Sequence, residues 1–255
     1  MEILKHGSLS LELNKSECFY RIVGCDKDAS HVTIPAQVNG IYIEEILDSA
    51  FEECASLKSV TFDKPSLEQI AKGEVLSAIG DYAFAYCTSL EKIEVPDSVT
   101  YIGRGAFYSC TSLESVTFGS YTNVCDFAFY GCANLKSCSN VEGYVGEGTF
   151  YQCQSLTDLP INNKTTEICE EAFGHCYGLE AVTIPKSVKR IESLAFRGCH
   201  GLKSVTFENT SIWYSRNRYF DKEVEIDVSS PKANAQALAR MDFDDGIIEW
   251  YVKNS

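Results

Sequence analysis

The stretch Leu90-Glu-Lys-Ile-Glu-Val-Pro-Asp-Ser-Val-Thr-Tyr-Ile-Gly-Arg-Gly-Ala-Phe-Tyr-Ser-Cys-Thr-Ser-Leu113 decides the architecture, because its pattern returns along most of the chain. Its signature is Ala-Phe-x-x-Cys with Leu three residues further on. It occurs at Ala50-Phe51…Cys54, Ala83-Phe84…Cys87, Ala106-Phe107…Cys110 and Ala128-Phe129…Cys132. It continues at Thr149-Phe150…Cys153, Ala172-Phe173…Cys176 and Ala195-Phe196…Cys199. Successive cysteines stand 33, 23, 22, 21, 23 and 23 residues apart. A period of this length marks a solenoid, whose single coil cannot bury its own apolar side chains but whose stacked coils can.

Within a repeat, apolar residues alternate after the Leu, as in Leu57-x-x-Val60-x-Phe62, Leu90-x-x-Ile93-x-Val95 and Leu113-x-x-Val116-x-Phe118. That period of two predicts a strand. Pro35, Pro96 and Pro185 close several of these strands, where a turn begins. A second apolar pair follows, such as Val99…Ile102 or Val188…Ile191, often with Gly80 or Gly103 next. Ala-Phe-x-x-Cys is too short for a full helix and reads as one helical turn. The expected fold is therefore an α/β leucine-rich-repeat solenoid of about seven ~23-residue coils, with parallel strands, short helical turns and capped ends.

The 90–113 stretch and its copies resemble the BspA-like leucine-rich-repeat family over about residues 30–207. The resemblance implies a bacterial protein, in many members a cell-surface or secreted one. Some members adhere to host matrix proteins, host cells or other bacteria. None of the matching positions is catalytic in the family.

Departures from the period give the chain its individual features. The 33-residue interval carries ten extra residues around Pro65-Ser66-Leu67-Glu68-Gln69-Ile70. Ser66 and Gln69 have capping-box spacing, which predicts a short helix over about 66–76 that protrudes from the coil edge, as a tolerated insertion or a binding element. Cys138 and Asn140 replace aliphatics and Pro160 removes a backbone donor, so a kink or change of curvature is expected there. Leu9-x-Leu11-x-Leu13 with Phe19–Val23 reads as a hairpin, and Asn39-Gly40 as a tight turn. At the other end Val224-x-Ile226-x-Val228 reads as a strand, Ser230-Pro231 opens a helix through about Met241, and Gly246–Val252 is a last strand. The organisation read from this is an N-terminal cap hairpin over 1–30, the solenoid over 31–207 and a C-terminal β-α-β cap over 208–255. Such ends shield the terminal coils from water and from other chains.

With 22 Lys+Arg against 36 Asp+Glu, the net charge of −14 repels nucleic acid and anionic membrane surfaces. No apolar run approaches the roughly 18 residues of a membrane span. The start, Met1-Glu2-Ile3-Leu4-Lys5-His6-Gly7, has neither the basic nor the apolar segment of a signal peptide, so the expectation is a protein that stays inside the cell or one whose leader has been removed. Seven of the twelve cysteines share one phase and should stack as buried, parallel-pointing thiols, with Cys125 and Cys169 as further packing residues. Cys18 and Cys25 are the pair considered for a disulfide. His175-Cys176 and Cys199-His200 put the cysteine inward and its neighbour outward, and C-x-x-C and H-E-x-x-H are missing from the sequence, so no metal site is expected. Asp242-Phe-Asp244-Asp245-Gly246 lacks the frame of a calcium loop and reads as a solvated turn. No nucleophile elbow, phosphate-cradling loop or dinucleotide fingerprint occurs, and His6, His31, His175 and His200 offer no Ser-His-Asp arrangement, so neither an enzyme nor a cofactor is expected.

Two surfaces repeat in register. Outward strand positions give Ser59/Thr61, Lys92/Glu94, Ser115/Thr117, Ser137/Ser139, Ala181/Thr183 and Ser204/Thr206, a row able to hydrogen-bond a partner or simply suited to an exposed strand. Tyr108, Tyr130 and Tyr151 share one phase in three consecutive coils and should form an aromatic stripe about 10 Å long, by strand spacing. Trp213-Tyr214…Tyr219-Phe220 with Arg216 and Arg218 is a further aromatic-basic cluster, read as a binding patch or as cap packing. The expected function is non-enzymatic binding of a protein or glycoprotein, possible ligands being host matrix or cell-surface proteins. An intracellular interaction scaffold and a carbohydrate-binding module are the alternatives. Asn14, Asn163 and Asn209 open N-x-S/T sequons that matter only where the source glycosylates.

Overall fold

The structure, a computed structural model, describes residues 3–209, 211, 213–217, 222–239 and 248–252. Each repeat makes one turn of a β-solenoid, about eight turns in all when the shortened first one is counted. Two parallel ladders run along it. One contains Phe19–Cys25, Ile41–Ile46, Ala78–Ile79, Tyr101–Ile102 and Asn123–Val124. The other contains His31–Ile34, Ser59–Phe62, Lys92–Glu94, Ser115–Thr117 and Ser137–Cys138. In the second ladder Val60 pairs with Ile93 and Ile93 with Val116, so the alternation read in one repeat is buried against the next.

The Ala-Phe segment is as short as expected, but it is built differently from a helical turn. Ser49 and Glu53 in the first coil, Tyr82 and Tyr86 in the second, and the equivalent pairs in later coils all have positive φ, between 53° and 72°. Two left-handed residues four apart break any helix. They turn alternate amides outward along the solenoid axis instead. The Ser49, Phe51 and Glu53 N–H groups donate to the Asp81, Ala83 and Ala85 carbonyls of the next coil at 2.9, 2.7 and 2.8 Å, while the amides between them close local turns. The turn is thus a third ladder between coils.

Inside it, Phe51, Phe84, Phe107, Phe129, Phe150, Phe173 and Phe196 stack with centroids 4.6–5.4 Å apart. All seven are fully buried. The cysteines of the signature are buried beside them, as expected. From Cys87 onward each thiol donates to the Phe carbonyl of the preceding coil, for example Cys110 to Phe84 at 3.1 Å and Cys199 to Phe173 at 3.0 Å. All described cysteines are free thiols.

Glycine before the turn has a steric cause. Asp48 Oδ1 accepts the Asp81 N–H at 2.8 Å, and Asp81 Oδ1 accepts the Arg104 N–H at 2.8 Å. A Cβ on Gly103 would lie 2.5–2.7 Å from Asp81 Oδ1, Asp81 N and Gly80 C, so the carboxylate of one coil leaves no room for a side chain in the next.

The disturbance expected around residues 138–160 is a break in both ladders. The first ends at Asn123–Val124 and the second at Ser137–Cys138; pairing resumes in separate sheets from Val141–Val145 and from Ala181–Ile184. Register shifts within the Val141–Val145 and Ile161–Ile168 pair mark the same place. The stacked Phe turns continue across it, with Phe129 N donating to Thr149 O at 2.9 Å.

The insertion forms helix α1, Leu67–Lys72, with the Ser66/Gln69 capping box in place. It stops earlier than 76 because Gly73 takes a left-handed C-cap conformation. At the N-terminus, Ile3–His6, Leu9–Asn14 and Phe19–Cys25 make an antiparallel three-stranded end, and Phe19–Cys25 then pairs parallel with Ile41–Ile46. Asn39 and Gly40, at φ 53° and 79°, make the tight turn read there. At the C-terminus Trp213–Asn217 pairs antiparallel with Lys222–Ile226 and with Ile248–Val252, and helix α2, Pro231–Ala239, packs against Ser204–Phe207. The strand Trp213–Asn217 is additional to the elements read from sequence. Arg218, Tyr219, Phe220, Met241 and the Asp242–Gly246 turn lie outside the described residues, as does the Arg216 side chain. No helix among the described residues is long and apolar enough to cross a membrane.

Candidate binding face

The Tyr row sits on the Ala-Phe turn, directly after the buried Phe. Inward Phe and outward Tyr therefore alternate on one rigid segment. Tyr108 and Tyr130 stack at 4.7 Å and 2° between planes, and Tyr130 and Tyr151 at 4.8 Å and 13°. These are the coil spacings expected of a stripe. Each ring is half-buried. Burial raises the pKa of all three phenols, so they remain neutral hydrogen-bond donors through the physiological range.

The stripe is longer than three residues. Tyr86 approaches Tyr108 at 5.5 Å and Tyr82 does so at 6.4 Å. Beyond Tyr151 the chain of rings runs to His175 at 5.2 Å, Tyr177 at 5.9 Å and His200 at 6.2 Å. Tyr86 and Tyr177 are exposed, at 42% and 44%, and His200 is exposed as well. The extra rings come from neighbouring repeat phases, so alignment at a single phase misses them; the signal is an aromatic at any outward position around the signature. Glycines make room for some of them. A Cβ on Gly105 would meet the Tyr82 ring at 2.5 Å, one on Gly174 the Tyr151 ring at 2.7 Å, and one on Gly198 the His175 ring at 2.5 Å.

The remaining site residues separate. Ser115 is half-buried and Thr117 exposed on either side of buried Val116, on the strand face rather than on the aromatic ridge. Trp213 is fully buried: it packs edge-on to Phe207 at 4.9 Å and its indole N–H donates to Asn209 O at 3.2 Å. It is therefore part of the cap's core, leaving nothing for a partner to touch. Tyr214 is half-buried against Tyr251 at 6.1 Å.

One cluster has ligand-like spacing: oxygens of Glu167 and Glu192 and the Cys169 sulfur lie within 4.8 Å of one another. Arg190 reaches Glu167 and Glu192 at 2.9 Å each and Glu249 at 2.8 Å, so its guanidinium already balances these carboxylates. The cluster ties the cap strand Ile248–Val252 to the last coil. Burial, with Glu192 and Glu167 nearby, pushes the Cys169 thiol up to about 12, away from the thiolate a metal requires.

The comparisons agree with this geometry. The chain matches the model of the BspA type leucine rich repeat region in six copies, over residues 14–137, 77–203 and 139–234. No curated protein matches it in sequence. Among solved structures it resembles a leucine-rich cell-surface protein of Faecalibacterium prausnitzii, with 26% identity and a TM-score of 0.70 over 91% of this chain. It spans 62% of that protein's length. It also shares the fold of the leucine-rich-repeat protein of T. pallidum, at 23% identity and a TM-score of 0.62, over 79% of this chain and 91% of the other. A repeat period, a buried Phe–Cys column and a family model spanning most of the sequence lead to one conclusion: the chain belongs to the BspA-type leucine-rich-repeat family.

Proposed function

We propose that this solenoid binds a protein partner, without catalysis, along the ridge from Tyr82 to His200, and that the partner is a matrix or cell-surface glycoprotein. The observation that carries the reading is the unbroken chain of rings on an outward edge. Tyrosine brings a large amphipathic surface with little side-chain entropy to lose. The similarity to a cell-surface protein adds support, and the net charge of −14 favours a neutral or basic partner face. The same stacking weighs against a carbohydrate module. A sugar ring needs an open aromatic face, and in Tyr108, Tyr130 and Tyr151 the faces cover one another, leaving edges and hydroxyls outward.

A solid-phase screen against matrix glycoproteins beside a glycan array tests this. The Tyr108→Ala/Tyr130→Ala/Tyr151→Ala triple variant, checked for folding by circular dichroism, should lose at least about ten-fold in affinity for the captured protein. Retained binding in the folded variant would remove the ridge from consideration. Glycan binding alone would favour the carbohydrate reading. Silence across the plate would count against adhesion and direct the search to co-purified partners inside the cell.

A further inference from the structure

The strand face carries a cleft in which no residue of the aromatic ridge takes part. It encloses about 580 Å³ over three adjacent strands, Ser59–Phe62, Lys92–Glu94 and Ser115–Thr117. The 33-residue interval shapes it. The extra residues leave the coil at Asp63-Lys64-Pro65, and all three line the cleft. The departure also uncovers a ring: Phe62 is half-buried, whereas Phe118 and Phe207, which close equivalent strands, are 7% and 6% exposed.

The polar lining is not engaged by the protein itself. Lys92 and Glu94 stand on the outward face of one strand, about 7 Å apart by strand rise. The neighbouring coils set Ser59 beside Lys92 and Thr117 beside Glu94. Among the described residues, the side chains of Lys64, Lys92, Glu94 and Asp97 have no ion-pair or hydrogen-bond partner. Exposed charges elsewhere do pair across coils, Lys136 with Glu114 at 3.0 Å and Lys203 with Glu180 at 2.8 Å. Two ammonium groups against three carboxylates leave the lining nearly neutral in a chain of net charge −14. Such a lining suits an uncharged ligand rich in hydroxyls, which both donate and accept. An extended peptide finds no backbone to pair with, because Lys92–Glu94 is already paired on both sides.

A second space of about 20 Å³ adjoins the cleft and shares Phe62, Asp63, Pro65 and Pro96 with it. Ile34, Ile43, Val75 and Leu76 give it apolar walls. Its one hydroxyl, on Ser98, already donates to Leu76 O at 2.7 Å. A space of that size takes one small group, and walls without free polar atoms favour a methyl over a water. We propose that the cleft binds an uncharged N-acetylated sugar, its hydroxyls meeting Lys92 and Glu94, its ring lying against Phe62 and its acetamide methyl seated in the adjoining cavity. The site is independent of the ridge and is read separately from it.

The test titrates the ¹⁵N-labelled full chain with N-acetylglucosamine or N-acetylgalactosamine. Saturable amide shifts are expected at residues 59–65 and 92–97, with Kd in the millimolar range. Glucose and galactose lack the acetamide and should bind about ten-fold more weakly. Ala36→Leu, at a residue lining the small cavity, should erase that preference. Glu94→Gln, on the exposed strand face, leaves folding intact and should weaken the acetylated sugars about ten-fold. The Tyr108→Ala/Tyr130→Ala/Tyr151→Ala variant should bind them unchanged, so failure here and failure of the ridge are distinguishable. Absence of saturable shifts, equal affinity for glucose, or shifts centred on the ridge overturns the proposal.

Discussion

A single signature cysteine shows how the solenoid reconciles a polar atom with a dry interior. Its thiol is too small to leave a void, and its one donor meets a carbonyl the turn presents. The buried thiols resist ionisation: burial sets Cys132 and Cys199 near 12 and raises Cys110, Cys153 and Cys176 well above the usual value. Two outcomes are expected. Native protein at pH 8 should leave these five unlabelled by iodoacetamide for as long as it stays folded, whereas Cys18 labels at once. In urea titrations stability should hold below about pH 9, where thiols are neutral in both states, and fall as pH rises from there toward 12, because only the unfolded thiols ionise. Each contributing thiol should cost about 1.4 kcal/mol per pH unit, and Cys132→Ala should shallow the slope by that amount. A glycine supplies the steric counterpart. Gly103→Ala places its Cβ against backbone atoms of the neighbouring coil, so it should destabilise by about 2 kcal/mol or more in urea unfolding, and Asp81→Ala should not rescue it, since Gly80 C and Asp81 N remain in the way.

At the scale of elements, periodic residues were readable and the backbone between them was not. The strand, the Phe–Cys column, the capping box and the Asn39-Gly40 turn follow from residue type and spacing. The left-handed pairs do not, because Ser49, Glu53, Tyr82, Tyr86 and Leu194 are not residues that favour positive φ; the ladder to the next coil imposes it. Likewise the ridge was legible only as far as its shared phase, and the sequence left Trp213 open between a binding patch and cap packing because its burial depends on how the cap folds over Phe207. Helix α1 buries none of its residues and carries Leu67 86% exposed, so it rests on its own caps. Ser66→Ala should therefore cost about 1 kcal/mol locally and leave global Tm within error, as measured by hydrogen exchange at residues 68–73 against calorimetry.

The whole molecule is a stack whose coils follow one another in chain order, and its two ends differ in kind. The N-terminal end is a shortened coil carrying a hairpin, whereas the C-terminal end is three antiparallel strands that extend the solenoid sheet from Arg190–Ile191, with a helix packed on Ser204–Phe207 and Asn234 donating to Val205 O at 3.0 Å. Removing residues 209–255 should uncover Val205 and Phe207 and turn a monodisperse protein into one that aggregates during size-exclusion chromatography. The lost strand pairing near residues 138–160 gives the rod a mechanical character. Tension along the axis is shared elsewhere by three columns of hydrogen bonds; here only two act at each level, the stacked Phe turns with Ser115–Thr117 on Ser137–Cys138 at one and with Val141–Val145 on Ile161–Ile168 at the next. Pulled from its ends, the rod has a built-in yield point, and it should extend first by parting there into two shorter springs.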